Sequence, residues 1–142
     1  MRFSTKDRYA LRLMVELAGH APEEFVSLKA VSDSQGISVK YLEQIVPPLT
    51  RAGLLASGRG SQGGYRLTRP AAVVTAGDVL RAVEGDLAPV PCLEEDAGDC
   101  PRRSGCRTLA FWEGLGAVLE QYADGVTLAQ LCGAPGGGKE DA

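Results

Sequence analysis

The sequence is poor in the residues that build active sites. Histidine occurs once, at His20, directly after Gly19 at a predicted helix end, where we expect a surface side chain. No histidine, serine, cysteine or paired carboxylates stand in a pattern typical of acid–base or nucleophilic catalysis. The sequence therefore predicts that this protein is not an enzyme.

Long hydrophobic runs are also missing. No stretch of 18 apolar residues is present, so the sequence predicts no membrane-spanning segment and no membrane partner. The first 19 residues carry charged side chains among the apolar ones, unlike a signal peptide. We therefore expect a cytoplasmic protein, in which thiols are normally reduced and structural disulfides are rare.

The net charge of −3 conceals an uneven distribution along the chain. Residues 1–70 hold ten Lys and Arg against six Asp and Glu, whereas residues 71–142 hold five against twelve. A basic front half followed by an acidic rear half is compatible with one surface that faces nucleic acid.

Cysteine is scarce as well, but three of the four cysteines lie close together. Cys92, Cys100 and Cys106 follow a C-x7-C-x5-C spacing. Glycines and prolines lie between and beside them, so one flexible loop carries three thiols that are free to converge. Such a loop binds a metal or a cluster, forms a disulfide or senses oxidants. Cys132 lies near the end of the chain, beyond a long predicted helix, and is expected not to be a ligand.

Capping residues and apolar spacing predict the first two helices. Ser4 with Asp7 resembles a capping box for a helix that ends at Gly19. Ser27 is the expected N-cap of a second, short helix, which Gly36 closes.

A third helix and a hairpin are expected next. Ser38 is a good N-cap for the third helix, and Pro47 and Pro48 predict that it stops or kinks near Val46, since neither proline has an N–H group. Two short strands at about residues 54–57 and 65–68 then flank a glycine-rich turn.

The rear half of the chain is predicted to be helical around the cysteine loop. Thr75 and Asp78 form a second capping-box signature. A long helix is expected over residues 108–123, and Thr127 is expected to cap a last short turn. One broad apolar face of the long helix carries Leu109, Trp112, Leu115, Gly116, Leu119 and Tyr122.

Two short helices joined by a tight glycine turn and followed by a hairpin form a winged helix-turn-helix layout. The predicted fold class is therefore mainly α with a small β-hairpin, a winged helix-turn-helix plus a long C-terminal dimerisation helix. We expect a DNA-binding domain over residues 1–85, a cysteine-rich loop over 86–107, the dimerisation helix and a C-terminal turn over 108–132, and a disordered tail over 133–142.

The third helix would enter the major groove with its N-terminus first. Its early residues include hydrogen-bonding side chains suited to bases and phosphates, namely Ser38, Lys40, Tyr41 and Gln44. The glycine-flanked turn places Arg59 beside Ser61 and Gln62, and arginine is the side chain favoured in a narrow minor groove. Double-stranded DNA is the predicted partner.

The motifs together resemble the IscR-like family of bacterial winged-helix regulators, which includes regulators of the NsrR, RirA and CymR types. The segments that carry the resemblance are MRFSTKDRYALRLMVELA, ISVKYLEQIVPPLTRAGLLASGRGSQGGYRL, AGDVLRAVEG, the three-cysteine loop and the tryptophan-bearing long helix. The resemblance covers about residues 1–130. It implies a homodimer that is joined through the long helix and reads a two-fold operator.

The resemblance also implies an iron–sulfur cluster on Cys92, Cys100 and Cys106. Their spacing is similar to that of the RirA type, which holds a [4Fe–4S] cluster, and a [2Fe–2S] cluster is the alternative. The position of the family's histidine ligand is Leu109 here. Regulators of the NsrR type use an aspartate from the partner subunit, and the corresponding position is Arg8, so the neighbouring Asp7 is a candidate fourth ligand. A small thiol, water or no fourth ligand is equally open.

The residues themselves leave other readings of the loop open. Thiolates are the usual ligands of iron–sulfur clusters, and three protein ligands leave one labile iron. Zinc sites usually contain a closely spaced cysteine pair, which this loop lacks. A thiol oxidation switch fits the same three cysteines.

The predicted function is a bacterial transcriptional regulator, a repressor, whose operator affinity follows a cluster that senses iron, redox state or nitric oxide. The alternative is a cluster-free regulator that is switched by thiol oxidation or a partner protein. An iron–sulfur electron carrier or enzyme is the candidate from a different class.

Overall fold

The computed structural model describes residues 3–60 and 63–135, and in these ranges it contains six α-helices and one β-hairpin. The elements in chain order are α1 (Thr5–Ala18), α2 (Leu28–Gln35), α3 (Val39–Arg51), β1 (Leu55–Gly58), β2 (Gly64–Leu67), α4 (Ala76–Glu84), α5 (Leu109–Asp124) and α6 (Leu128–Gly133). The predicted fold class is confirmed.

Side-chain caps fix where the helices begin. The Ser4 hydroxyl accepts the Asp7 N–H and an Asp7 carboxylate oxygen accepts the Ser4 N–H, which closes the predicted capping box of α1. Thr75 and Asp78 close a second box at α4. The predicted caps Ser27, Ser38 and Thr127 are also confirmed.

The third helix does not stop near Val46, one of the two outcomes that Pro47 and Pro48 predicted, because α3 continues through both prolines to Arg51. The two prolines remove intrahelical hydrogen bonds to carbonyls on an exposed turn, where water can replace them. Leu49, the residue after Pro48, is fully buried and holds this last part of the helix against the core. Tertiary packing thus outweighs the local preference of proline.

The hairpin is a two-stranded antiparallel sheet, and a single residue outside it forms a β-bridge with β2. Leu55 pairs with Leu67 and Gly58 with Gly64, within one residue of the predicted strands. Val26 bridges Tyr65 through two backbone hydrogen bonds of 2.9 Å. The base of the wing is therefore fastened to the segment that precedes α2.

The main core lies between α1, α3, α4, α6 and the base of the hairpin. Helix α1 runs through its centre and buries one face, which includes Leu13 and Met14. The other fully buried large side chains of this core are Val31, Leu42, Ile45, Leu49, Val74, Val79 and Leu128. This packing holds the helix-turn-helix and the wing in one unit.

Helix α5 is different, because Ala123 is its only buried residue. Its inner side consists of partly buried positions one or two turns apart, namely Trp112, Gly116 and Leu119. Its outer side exposes Phe111, Leu115, Val118 and Tyr122. The single apolar face predicted for this helix is therefore two faces, of which only one is covered by the subunit itself.

No helix among the described residues is both long enough and apolar enough to cross a membrane. Most of the predicted disordered tail, residues 136–142, lies outside the described residues. Gly133, expected to begin that tail, is instead the last residue of α6.

Candidate nucleic-acid interface and cysteine loop

The predicted recognition helix presents polar side chains at its N-terminal end. Ser38, Lys40 and Gln44 are exposed, although the Ser38 hydroxyl is engaged in capping, where it accepts the Tyr41 N–H at 3.1 Å. Lys40 and Gln44 lie one turn apart on α3, and both are exposed. Their donors suit phosphate and base edges.

Tyr41, also predicted to contact DNA, has a packing role in the structure. Its ring meets Tyr9 of α1 edge to face with 5.3 Å between the ring centres. The Arg12 guanidinium lies over the Tyr9 ring at 5.3 Å. The half-buried Tyr41 therefore helps to set the position of α3 against α1.

A polar network that the sequence did not reveal fixes the turn before α3. The Glu16 carboxylate accepts hydrogen bonds of 2.8 Å from Ser34 and Gln35 at the end of α2. Arg12 donates to the side chain and backbone carbonyl of Gln35. The four-residue spacing of Arg12 and Glu16 in α1 and of His20 just beyond it was the signal in the sequence.

His20 belongs to the same network. Its ring nitrogens lie 3.1 Å from Glu16 and 3.3 Å from Glu24. The hydrogen bond to Glu16, joined by that to Glu24, raises the pKa of His20 above its ordinary value. Although burial acts in the opposite direction, hydrogen bonds from Gln35, His20 and Ser34 hold the pKa of Glu16 low.

The wing projects Arg59 into solvent. Arg59 is exposed, and Gly60 beside it adopts a left-handed backbone with φ of 80°. Gly58 lets the ring of Phe25 lie against the hairpin, since a Cβ there would come within 2.9 Å of the ring. Ser61 and Gln62, the other predicted wing contacts, lie outside the described residues.

The predicted DNA-contacting set omits Glu43, an exposed residue near the start of α3. Glu43 lies between Lys40 and Gln44 and points away from the core. A carboxylate is repelled by phosphate but accepts a hydrogen bond from the amino group of cytosine. The exposed side of α3 therefore carries an acceptor as well as donors.

The three loop cysteines are accessible, free thiols. Cys92 and Cys100 are half-buried and Cys106 is exposed, with 3-10 turns at Pro91–Leu93 and Arg103–Gly105 between otherwise irregular segments. Within residues 3–60 and 63–135, no three His, Cys, Asp or Glu side chains are gathered closely enough to hold a metal ion. The structure therefore places the thiols on one loop without bringing them to one point.

Cys106 has the chemistry of a ligand. Its Sγ lies 3.4 Å from the Thr108 hydroxyl, and this hydrogen bond, with backbone N–H groups at the start of α5 and the charge of Arg103, lowers the pKa of the thiol. A lower pKa favours the thiolate, which is the form that binds metal.

The first residues of the loop are anchored to the helices. Leu87 is buried against Leu80 and Ala123. Pro89 lies against Gly116 of α5, where a Cβ would come within 3.1 Å of the proline ring. The position of the segment leading to Cys92 therefore depends on α5.

An ion pair joins α5 to α4. Arg81 donates two hydrogen bonds to Asp124, at 2.7 and 2.9 Å. Gly77 makes room for this pair, because a Cβ there would overlap an Asp124 oxygen. Helix α4 also packs against α1 and α3. Helix α5, which follows the cysteine loop, is therefore connected through α4 to α3.

Asp7, the candidate fourth ligand, is enclosed in its own subunit. Its side chain is 1% exposed, and one carboxylate oxygen, Oδ1, has no hydrogen-bond partner. Hydrogen-bonding proximity to Asp7 raises the pKa of Glu84 at the end of α4, and burial acts in the same direction. Ligation across a dimer would require this carboxylate to become accessible.

Cys132 is set apart from the other thiols. It belongs to α6 and its Sγ donates a long hydrogen bond of 3.5 Å to the Val15 carbonyl on α1. It therefore belongs to a short helix that contacts α1.

Comparison with known proteins agrees with this geometry over most of the chain. Residues 3–134 match the Rrf2 family, described as iron-dependent transcriptional regulator. Protein rrf2 of Nitratidesulfovibrio vulgaris is 39% identical over 92% of this chain and 87% of its own length. The HTH-type transcriptional regulator CymR of Bacillus subtilis is 37% identical over 99% and 96%, and the corresponding regulator IscR of Vibrio vulnificus is 37% identical over 92% and 77%.

Solved structures give the same result. The global cysteine regulator CymR of B. subtilis superposes with a TM-score of 0.75 at 36% identity, covering 93% of this chain and 96% of that one. IscR of T. potens superposes with a TM-score of 0.73 at 37% identity, covering 92% and 85%. These relatives are regulators, which confirms the prediction that the protein is not an enzyme. The chain belongs to the Rrf2 family of DNA-binding transcriptional regulators.

Proposed function

We propose that this protein is a repressor whose affinity for its operator is set by an iron–sulfur cluster held by Cys92, Cys100 and Cys106. The observation that carries the proposal is the joining of three accessible thiols on one loop to a winged-helix unit through α4 and α5. The Rrf2 and IscR relatives and the iron dependence in the family description support it.

The donor set fits such a cluster in chemistry. Three thiols are free, and Thr108 favours the thiolate of Cys106. Bound there, a [4Fe–4S] or [2Fe–2S] cluster would supply a site that responds to iron, oxidants or nitric oxide. Because the thiols are not gathered among the described residues, holding the cluster requires the loop to close.

The chain's own contacts provide a route from the loop to DNA. Pro89 ties the start of the loop to Gly116, and the Arg81–Asp124 pair ties α5 to α4. Helix α4 packs on α3, so loop closure would bias the orientation of the recognition helix. Lys40, Gln44 and Arg59 are the exposed side chains proposed to contact DNA, with Ser38, Tyr41, Ser61 and Gln62 as the remaining predicted set.

We also propose a homodimer formed through the outer side of α5. A contiguous row of exposed apolar residues on a helix marks an interface, because water-exposed patches of this kind are costly. A two-fold dimer would present two recognition helices to a two-fold operator. Asp7 of one subunit remains the predicted fourth ligand for the cluster of the other.

A cluster-free regulator is the second candidate. It is favoured by the CymR relative, which aligns with nearly the whole chain, and by the separated thiols. In that case, oxidation of the loop cysteines or a partner protein would control the same winged-helix unit.

Cysteine variants decide between the two candidates. After anaerobic reconstitution, the wild type should bind iron and sulfide, and Cys92→Ser, Cys100→Ser and Cys106→Ser should each lose the visible absorbance, because a hydroxyl is a poor substitute for a thiolate. Cys132→Ser is the matched control and should keep it. A wild type that takes up no iron and sulfide would exclude the cluster and favour the cluster-free regulator.

A further inference from the structure

An acidic cleft lies beside the cysteine loop, between the start of α1 and the end of α4. Its volume is about 760 Å³. Every ionisable residue that lines it is an acid, namely Asp7, Glu84, Asp86, Glu94, Glu95 and Asp96. Lys6 is near enough to act on Glu84 but does not line the cleft. The local negative charge therefore has no matching cation in the cleft wall.

Asp7 brings a buried, unsatisfied oxygen to this cleft. Its Oδ2 accepts the Ser4 N–H at 2.8 Å, whereas Oδ1 has no partner although the side chain is 1% exposed. A buried polar atom without a partner is unfavourable. Capping does not demand this arrangement, since Asp78 closes the same kind of box while only half-buried.

Glu84 places a second carboxyl group against the first. It lines the same cleft as Asp7 and lies at the C-terminal end of α4, where the helix dipole also disfavours negative charge. Two acidic groups so placed repel one another unless a shared proton or a bound cation lies between them.

Asp86 fixes the backbone of the segment that carries further carboxylates at the rim of the cleft. Its two oxygens accept the N–H groups of Ala88 at 2.9 Å and Glu95 at 3.1 Å. Asp86 is thereby occupied in fixing the chain, while the exposed side chains of Glu94 and Glu95 remain available above the cleft.

We propose that this cleft binds a hard divalent cation, such as Ca²⁺, Mn²⁺ or Mg²⁺, between Asp7 Oδ1 and the Glu84 carboxylate. Oxygen ligands select such ions, and one or two carboxylates completed by water suffice for Mg²⁺-type sites. Because no three candidate ligands are gathered among the described residues, water or an approaching Glu94 or Glu95 completes the shell.

The cation would act on the loop and on the helices at once. It would join α1, α4 and the acidic first half of the cysteine loop, which all line the cleft. The site uses none of the thiols, but it shares Asp7 with the predicted cluster of the partner subunit, so the two sites would compete for this carboxylate.

The test uses the full chain in its cluster-free, chelator-stripped form with reduced thiols. Ca²⁺ and Mn²⁺ are titrated separately, by calorimetry for Ca²⁺ and by the loss of the free-ion electron paramagnetic resonance signal for Mn²⁺. We expect one ion per chain, with a dissociation constant on the order of 0.1–1 mM for a site of few carboxylates. Each ion should also raise the melting temperature.

Glu84→Gln keeps the shape of the side chain and removes its charge. It should weaken binding by more than about tenfold, since loss of even an outer-shell partner costs about 10–100-fold in metal affinity. Asp7→Asn should do the same. Glu23→Gln, an exposed position outside the cleft, is the matched control and should bind like the wild type.

Wild-type protein that binds neither ion at millimolar concentration would overturn the proposal. Equal affinity in Glu84→Gln would overturn it as well, whether or not Asp7→Asn folds. Since the protein under test carries no cluster, neither result bears on the proposed function.

Discussion

The winged-helix unit and the cysteine-loop half of this chain are built in opposite ways. In the first, α1–α4 bury large aliphatic side chains around α1, and even the wing is tied to Val26. In the second, α5 buries only Ala123, and the loop before it has free thiols and two isolated 3-10 turns. The first region buries its core within one subunit, and the exposed side of the second region is where we propose that a second copy and a bound cluster complete it.

Removing a core side chain should give the largest effect on stability. Leu13 is 0% exposed in the centre of α1, so Leu13→Ala should lower the free energy of unfolding by about 2–5 kcal/mol. Leu115→Ala, on the outer side of α5, is the control and should cost far less when unfolding is followed at a protein concentration low enough to keep the chain monomeric. Chemical denaturation of both variants measures the comparison. An equal loss of unfolding free energy in the two variants would contradict the division into two regions.

A charge on the outer side of α5 should break the dimer while leaving the fold. Val118 is 59% exposed, and Val118→Asp should shift light scattering to the monomer mass because burying a lone carboxylate in an apolar interface is costly. Val73→Asp, at a residue 55% exposed on another surface, should leave the assembly unchanged. A Val118→Asp protein that keeps the wild-type mass would exclude this side of α5 as the interface.

Arg59 is an exposed residue of the well-packed region, so it should matter to DNA and not to folding. Arg59→Ala should weaken operator binding by about 1–3 kcal/mol, the usual cost of losing an arginine that reads a groove. The melting temperature should hardly change, since Arg59 packs on nothing in the core. Fluorescence anisotropy with operator DNA measures the first quantity, and an unchanged affinity would remove Arg59 from the interface.

The smallest expected effect concerns pH. The folded-state pKa of His20 is raised by Glu16 and Glu24, so its contribution to stability is full below the unfolded pKa of about 6.5 and is lost as pH rises through the folded value. His20→Gln should therefore melt slightly below the wild type at pH 6 and equally at pH 8.5. A gap that stays constant between these pH values would show that the charge of His20 plays no part.

Local signals were sufficient for much of the fold. Capping residues such as Ser4 with Asp7 act within one turn, so the sequence located the helix starts well. The rule for Pro47 and Pro48 failed because the buried Leu49 lies beyond them, and burial depends on the whole fold. Sequence periodicity likewise showed that α5 is apolar, but not which of its sides the subunit covers.

The site was less accessible to sequence reasoning. The spacing of the cysteines located them on one loop, yet their separation in space depends on how that loop lies on α5 through Pro89 and Gly116. Asp7 and Glu84 are far apart in the chain, so no local sequence pattern predicts that they interact. Contacts of this kind require the structure.

The central claim is that the loop cysteines control DNA binding through a cluster. The direct measurement is an anaerobic binding titration on the DNA upstream of the protein's own gene, with cluster-loaded and cluster-free protein compared at one salt concentration. The two forms should differ in dissociation constant by about 5–150-fold, the usual range of allosteric coupling. Equal affinities of the two forms would contradict the account.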